Sequence, residues 1–251
     1  MEHEEPLEGG NATAGVVRVG ATVRKPWEHA TPAVHELLRT VAAAGVDVPA
    51  PLGRDEQGRQ VLEYVPGTLA LGGPRLSEGE LTRVGAMIRS IHDACEGFRH
   101  AEEPGWVPLI PQPGTDADLV CHGDLAPWNL VIGERWVFID WDGAAPSTRL
   151  WDLAYSAQAF TLNDVEESPH SAAPRLAALV DGYGAGPALR AELPAAMAER
   201  TTAMHELLRR SHAEGREPWG TMFTTGHGAH WRAAAEHVAR HREVWARALR
   251  R

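Results

Sequence analysis

Three oxygen-bearing side chains fall close together in the middle of this 251-residue chain. Asp124 and Asn129 share the segment Cys121-His122-Gly123-Asp124-Leu125-Ala126-Pro127-Trp128-Asn129, and Asp140 closes the run Trp136-Val137-Phe138-Ile139-Asp140. An amide and a carboxylate are hard oxygen donors, suited to a magnesium ion that keeps several waters and binds substrate phosphates. A further carboxylate beside them can accept or orient a hydroxyl proton. These are the parts that phosphoryl transfer from a nucleoside triphosphate requires, a reaction in which the protein mainly positions groups and neutralises charge.

The elements that must hold these residues are legible nearby. Leu130-Val131-Ile132 and Trp136-Val137-Phe138-Ile139 are apolar, β-prone runs separated by Gly133-Glu134-Arg135, the pattern of a hairpin. An antiparallel hairpin returns its ends to one place, so Asn129, just before the first strand, and Asp140, just after the second, can share one cation. Asp124 lies upstream on the loop, where it can meet an acceptor hydroxyl.

Asp-x-x-x-x-Asn is also the spacing of the protein-kinase catalytic loop, which opens His-Arg-Asp; here the loop opens His122-Gly123-Asp124. With Ile139-Asp140-Trp141 and Leu150-Trp151-Asp152-Leu153-Ala154-Tyr155, the stretch from Leu119 to Tyr155 resembles the aminoglycoside phosphotransferase and choline kinase group of small-molecule kinases. The resemblance implies an α+β, bilobal protein kinase-like fold, with a small β-rich N-lobe over residues 1–66 and a larger, mostly helical C-lobe over 67–251. It implies Asp124 as the catalytic, hydroxyl-orienting group, Asn129 and Asp140 as magnesium ligands, and His122 and Asp152 as supports of the loop. The implied partners are ATP or GTP, Mg2+ and a small-molecule acceptor.

Upstream, short strands are expected over residues 7–26, with Gly9-Gly10 as a turn whose backbone can approach phosphates. The chain has a single lysine, Lys25, among 24 basic residues. It stands beside Arg24 where kinase-like folds place a phosphate-binding cation. Strand parity favours Arg24: pointing Lys25 at the nucleotide sends Arg24 toward the small core, where an unpaired charge is costly. Lys25 is the alternative. A helix follows, with Thr31 as N-cap, Pro32 at its first position and a buried stripe of Val34, Leu37, Leu38 and Val41. Glu36 lies opposite that stripe and faces water, and His35 sits nearer the inward edge. This sequence therefore names no helix glutamate to pair with the strand cation. Gln60-Val61-Leu62-Glu63-Tyr64-Val65 resembles the hinge between lobes, where backbone groups near Glu63 and Val65 contact the base.

The second lobe opens on a capping box, Ser77 with Glu80, and a stripe of Leu81, Val84, Ile88 and Ile91. Helical patterns follow over Leu150–Phe160, Ala173–Tyr183, Pro194–Arg210 and Ala229–Leu249. His227, His230, His237 and His241 invite a zinc site, but no glutamate completes a zinc-protease motif, and surface histidines are expected instead. Asp164-Val165-Glu166-Glu167 is a solvated charge run. Asp142, two residues past Asp140, is the better candidate for touching substrate.

The formal charge of −10 argues against nucleic acid and anionic membrane partners and favours cationic ones. Two cysteines make no disulfide framework, the acidic start lacks a secretory signal, and no run is long enough to span a bilayer. A cytoplasmic monomer is expected. The chain lacks the P-loop Gly-x-x-x-x-Gly-Lys-Ser/Thr as well as the Asp-Phe-Gly and Ala-Pro-Glu segments of protein kinases. The function so indicated is transfer of a γ-phosphate to a hydroxyl of a small cationic antibiotic, an aminoglycoside or a basic tuberactinomycin-type peptide, conferring resistance. The alternatives are a kinase of choline, a sugar, an amino alcohol or a macrolide, and a catalytically silent kinase-like binding protein.

Overall fold

A computed structural model describes residues 3–7, 15–100, 104–114 and 116–250. A five-stranded antiparallel sheet in the order β1-β2-β3-β5-β4 forms the first part. Its strands are β1 (Glu4–Pro6), β2 (Val17–Val19), β3 (Thr22–Lys25), β4 (Pro51–Arg54) and β5 (Gln60–Glu63), and helix α1 (Thr31–Ala43) connects β3 to β4. Helix α1 buries the expected stripe, Val34, Leu37, Leu38 and Val41, each at most 2 % exposed. Its N-terminus differs from expectation. Ala30 is the capping position, and the Thr31 hydroxyl instead accepts from the Glu28 amide at 2.9 Å, bracing the approach to the helix. Gly10 lies outside the described residues.

β6 (Thr68–Leu69) leaves the first sheet and joins the hairpin of β8 (Leu130–Ile132) and β9 (Trp136–Phe138), in the order β6-β8-β9. β7 (Leu119–Cys121) pairs with β10 (Ala145–Ser147), so the loop after β7 and the segment after β9 emerge side by side. The rest is helical: α2 (Glu78–Cys95), α3 (Arg149–Thr161), α4 (Pro169–Tyr183), α5 (Pro187–Glu214), α6 (Trp219–Met222), α7 (Gly228–Arg240) and α8 (Arg242–Leu249). The result is a small sheet-rich part and a larger helical part. One apolar core runs from Leu37 and Val41 of α1 through Ile88 of α2 and Phe138 of β9 to Leu153 of α3 and Trp245 of α8.

The capping box of α2 is present, with Ser77 and Glu80 bonded reciprocally. Helices α2 and α4 approach so closely that a Cβ on Gly85 or on Gly182 would lie 2.0 Å from the Leu179 or Thr82 carbonyl oxygen. Helix boundaries differ from the sequence reading, and α4 starts at Pro169 rather than Ala173. Pro194, read as a helix start, lies inside α5, where buried Leu193 and Met197 hold the helix through the missing amide bond. The run 229–249 divides at His241 (φ −104°, ψ 18°) into α7 and α8. No described helix is long and apolar enough to cross a membrane.

Candidate active site

The mouth of the β8–β9 hairpin is closed by the Ile139 amide, which donates to the Asn129 carbonyl at 2.8 Å. Asn129 and Asp140 are thereby neighbours. Asp140 takes a left-handed conformation (φ 66°, ψ 59°), and no other non-glycine among the described residues has positive φ. Such backbone costs about 1–3 kcal/mol and is concentrated at functional positions. The side-chain amide nitrogen of Asn129 donates to Asp124, at 3.0 Å to its carbonyl and 2.7 Å to Oδ2. That leaves the Asn129 Oδ1 atom to pair with Asp140 as a hard-oxygen donor set, which fits a magnesium ion.

Asp124 is held by donors on both carboxylate oxygens. Tyr155 Oη donates to Oδ1 at 2.8 Å, and the Trp128 indole donates to both oxygens at 3.2 Å. Burial pushes the Asp124 carboxyl above its usual range, and the hydrogen bonds from Tyr155 and Trp128 pull the other way. Burial, with the charge of Asp124, holds the Tyr155 phenol well above its ordinary value, so it stays a donor.

The loop itself is braced from below. The Asp124 amide donates to His122 Nδ1 at 3.2 Å, which fixes the proton on Nε2, and that donates to the Ile139 carbonyl at 3.1 Å. Gly123 has φ +81°, and a Cβ there would sit 2.9 Å from the Gly143 carbonyl oxygen. Only glycine suits that position, which explains why the loop opens His-Gly-Asp. The Gly123 amide donates to Asp152 Oδ1 at 3.1 Å, and buried His92 links Asp152 Oδ2 (3.0 Å) to the Tyr183 hydroxyl (2.9 Å).

From the sheet, Lys25 enters the cleft and Arg24 does not. The Lys25 ammonium contacts Asp140 and lies 2.6 Å from Asp142 Oδ2. Burial alone would lower its pKa; the facing carboxylates of Asp142 and Asp140 outweigh it and hold it raised. The parity argument for Arg24 is therefore reversed. Its premise was a charge stranded in the core, but the other sheet face at Arg24 supplies Thr22 and the Asp55 carboxylate at 3.4 Å. The partner missing from α1 is replaced by a relay. Gln60 stands directly opposite Lys25 on β5. Its amide nitrogen donates to Asp142 Oδ1 at 3.0 Å, and its oxygen faces His35 Nε2 at 3.3 Å. Burial lowers the His35 pKa, so the ring is a neutral donor in this chain of contacts. Glu36 pairs instead with His100.

Lys25, Glu63, Val65, Asn129 and Asp140 line one cleft of about 250 Å3, walled by Val23, Leu62, Val131 and Ile139. The Glu63 carboxylate turns outward to the Ala50 amide and Arg135, so this residue faces the cleft with its other atoms. Sequence reasoning missed His35, Gln60, His92, Trp128 and Tyr155 as parts of this site. His92 follows Ile91 on the buried face of α2, and Tyr155 is one turn past Trp151, so a buried polar group at helical spacing was the available signal.

The other polar clusters have structural partners. Asp164 and Glu167 pair with Arg75 at 2.9 and 2.7 Å. His237 and His241 pack on Trp245. Cys95 and Cys121 are buried thiols with pKa values pushed up, that of Cys95 to about 12, and they are not nucleophiles.

Residues 106–200 match the phosphotransferase enzyme family, a span that holds Asp124, Asn129, Asp140, Asp152 and Tyr155. The trifolitoxin immunity protein of Rhizobium leguminosarum bv. trifolii is 32 % identical over 203 residues, covering 73 % of this chain and 75 % of that protein. The chain belongs to the phosphotransferase enzyme family. As a member of that family it is a phosphotransferase. The fold of this phosphotransferase is also that of a choline/ethanolamine kinase family protein from Mesorhizobium loti, with a TM-score of 0.60, 22 % identity, and 98 % and 92 % of the two chains covered. It is shared with an amicoumacin kinase solved with AMP-PNP, Ca2+ and its ligand, with a TM-score of 0.64, 13 % identity, and 91 % and 87 % covered.

Proposed function

We propose that the phosphotransferase moves the γ-phosphate of ATP or GTP to a hydroxyl of a small antibacterial compound and so protects the cell that makes it. Convergence carries this reading: Lys25, Asn129 and Asp140 line one cleft although they come from the sheet, the loop and the end of the hairpin, and Asn129 ties the Asp124 carboxylate to them. Residues 1–66 act as the nucleotide lobe, with backbone groups near Glu63 and Val65 taking the base. Residues 67–251 carry the catalytic loop and the acceptor. Asn129 and Asp140 would hold Mg2+, which would supply charge neutralisation for the transferring phosphate. Lys25, rather than Arg24, is the phosphate cation, and Asp142 shares it and keeps it aimed through Gln60 and His35.

Asp124 aligns the acceptor hydroxyl and receives its proton. Its carboxylate is already oriented by Tyr155, Trp128 and Asn129, so the acceptor meets a preformed acceptor of hydrogen bonds. The chain's charge of −10 steers a cationic acceptor such as an aminoglycoside or a basic peptide. The relative that confers trifolitoxin immunity supports a protective role. The full set of site groups disfavours a silent binding protein. We take the protein to act as a cytoplasmic monomer.

Product mass with Mg-ATP and Mg-GTP across aminoglycosides, basic peptides, macrolides, choline and sugars tests this. One added phosphate is expected on one class. Asp124→Asn is expected to keep nucleotide binding and to lose about 10²–10⁴-fold in turnover, the range of general-base effects. Unchanged turnover in that variant removes Asp124 from the reaction.

A further inference from the structure

Arg200 of α5 has no part in the transfer just described, yet it is placed beside it. It is 6 % exposed, and its Nη1 is buried without a hydrogen-bond partner. Its contacts are aromatic: Cζ lies 4.3 Å from the centre of the Tyr155 ring and 5.9 Å from that of Trp151. Tyr155 is the residue that donates to Asp124 at 2.8 Å, so one tyrosine stands between the guanidinium and the catalytic carboxylate. A methionine or leucine would pack on the same rings without desolvating a charge, so packing alone does not account for an arginine. Burial lowers the Arg200 pKa, and Tyr155, Asp152 and Asp124 act to restore it.

Arg200 is among the residues lining a cavity of about 110 Å3, with Asp124, Gly123, Ser147, Trp151 and Met204. A water takes about 30 Å3 and an apolar cavity of about 150 Å3 holds benzene. This one therefore admits a short polar arm rather than a whole antibiotic. Among the described residues its polar lining is Asp124, Asp152, Ser147, Tyr155 and Arg200, with Arg200 the one cation, and the rest is apolar. A guanidinium presents paired donors that match a carboxylate. A phosphate dianion would set two charges beside Asp124 and Asp152 against one cation, so the monoanion fits better.

We infer that Arg200 seats a carboxylate of the acceptor in this cavity, so that the phosphorylated hydroxyl belongs to a hydroxy-acid arm of the substrate. This rests on the phosphotransferase reading and narrows it. A net cationic body remains compatible, because the overall charge acts on the whole molecule and Arg200 acts on one arm.

The test uses the full chain with Mg-ADP and three probes of similar size: 3-hydroxybutyrate, its amide, and glycerol 3-phosphate. Binding is followed by ligand-observed NMR in wild type, Arg200→Gln and Arg200→Lys, with melting curves to confirm folding. The acid is expected to bind at least tenfold more tightly than the amide. That preference disappears in Arg200→Gln and partly returns in Arg200→Lys, while ADP affinity stays constant across all three proteins. Equal or absent binding of acid and amide overturns the inference, as does a preference that survives Arg200→Gln or a site that prefers glycerol 3-phosphate. If ADP itself does not bind, the phosphotransferase reading has failed. If an acceptor bearing a carboxylate is turned over equally by wild type and Arg200→Gln, only the role of Arg200 has failed.

Discussion

Tyr155→Phe isolates one interaction at the Asp124 carboxylate, proposed here to align the acceptor. The substitution removes a hydroxyl and keeps the ring, which still stacks on Trp231 at 6.2 Å, meets Trp128 edge-on and carries Arg200. What is lost is the 2.8 Å bond to Asp124 Oδ1, an oxygen that keeps only the longer indole contact at 3.2 Å. A hydrogen bond to a charged group contributes about 1.5–3 kcal/mol, all of it to the ionised form. Asp124 already sits above its ordinary pKa because of burial, and Tyr155 is the first of the groups opposing that rise. A carboxyl raised on folding gives full stability below its unfolded pKa, and that stability is lost as pH climbs through the folded value. Phenylalanine raises the folded value further. The deficit relative to wild type should therefore be small at acid pH and grow toward neutrality, reaching several degrees of Tm near pH 7 at about 2–4 °C per kcal/mol. The acid limb of kcat/KM should move to higher pH in the variant, with activity recovering at alkaline pH. Melting curves at several pH values and a pH–rate profile provide both readouts. An equal Tm loss at all pH values, or a limb that stays put or moves down, would falsify the claim that Tyr155 stabilises an ionised Asp124.

Lys25→Gln should abolish most nucleotide affinity, while Arg24→Gln should change it little, since only Lys25 faces Asp140 and Asp142; calorimetry with Mg-ATP decides, and the reverse order would restore Arg24 to the site. Asp140→Asn should remove the magnesium dependence of nucleotide binding, and a normal response to EDTA would take Asp140 out of the metal site. Gln60→Leu breaks the link between His35 and Asp142 and should lower kcat/KM while leaving the fold intact; an unchanged value shows that the relay does not aim Lys25. Gly85→Ala should destabilise by at least about 1–3 kcal/mol, the usual cost of overpacking, because the Leu179 backbone cannot move away from a Cβ 2.0 Å distant; a wild-type Tm would show that α2 and α4 are not so closely opposed.

Much of this protein follows from local rules. Two continuous apolar, β-prone runs around Gly133-Glu134-Arg135 specify the hairpin, and the hairpin alone makes Asn129 and Asp140 neighbours. The 3.6-residue stripes of α1 and α2 likewise identify their buried faces, and Ser77 with Glu80 marks where α2 begins. These features depend on residues within a few positions of one another, so one sequence displays them. Parity also told that Arg24 and Lys25 point oppositely, but not which face is the cleft. That depends on Asp140, 115 residues further along, and on Asp55 being present to receive the arginine. The Gln60–His35 relay, the Tyr155 bond to Asp124 and the isolation of Arg200 are likewise meetings of distant elements. Each is a balance between the cost of burying a polar group and the gain from a partner, and only the folded chain decides which partners arrive.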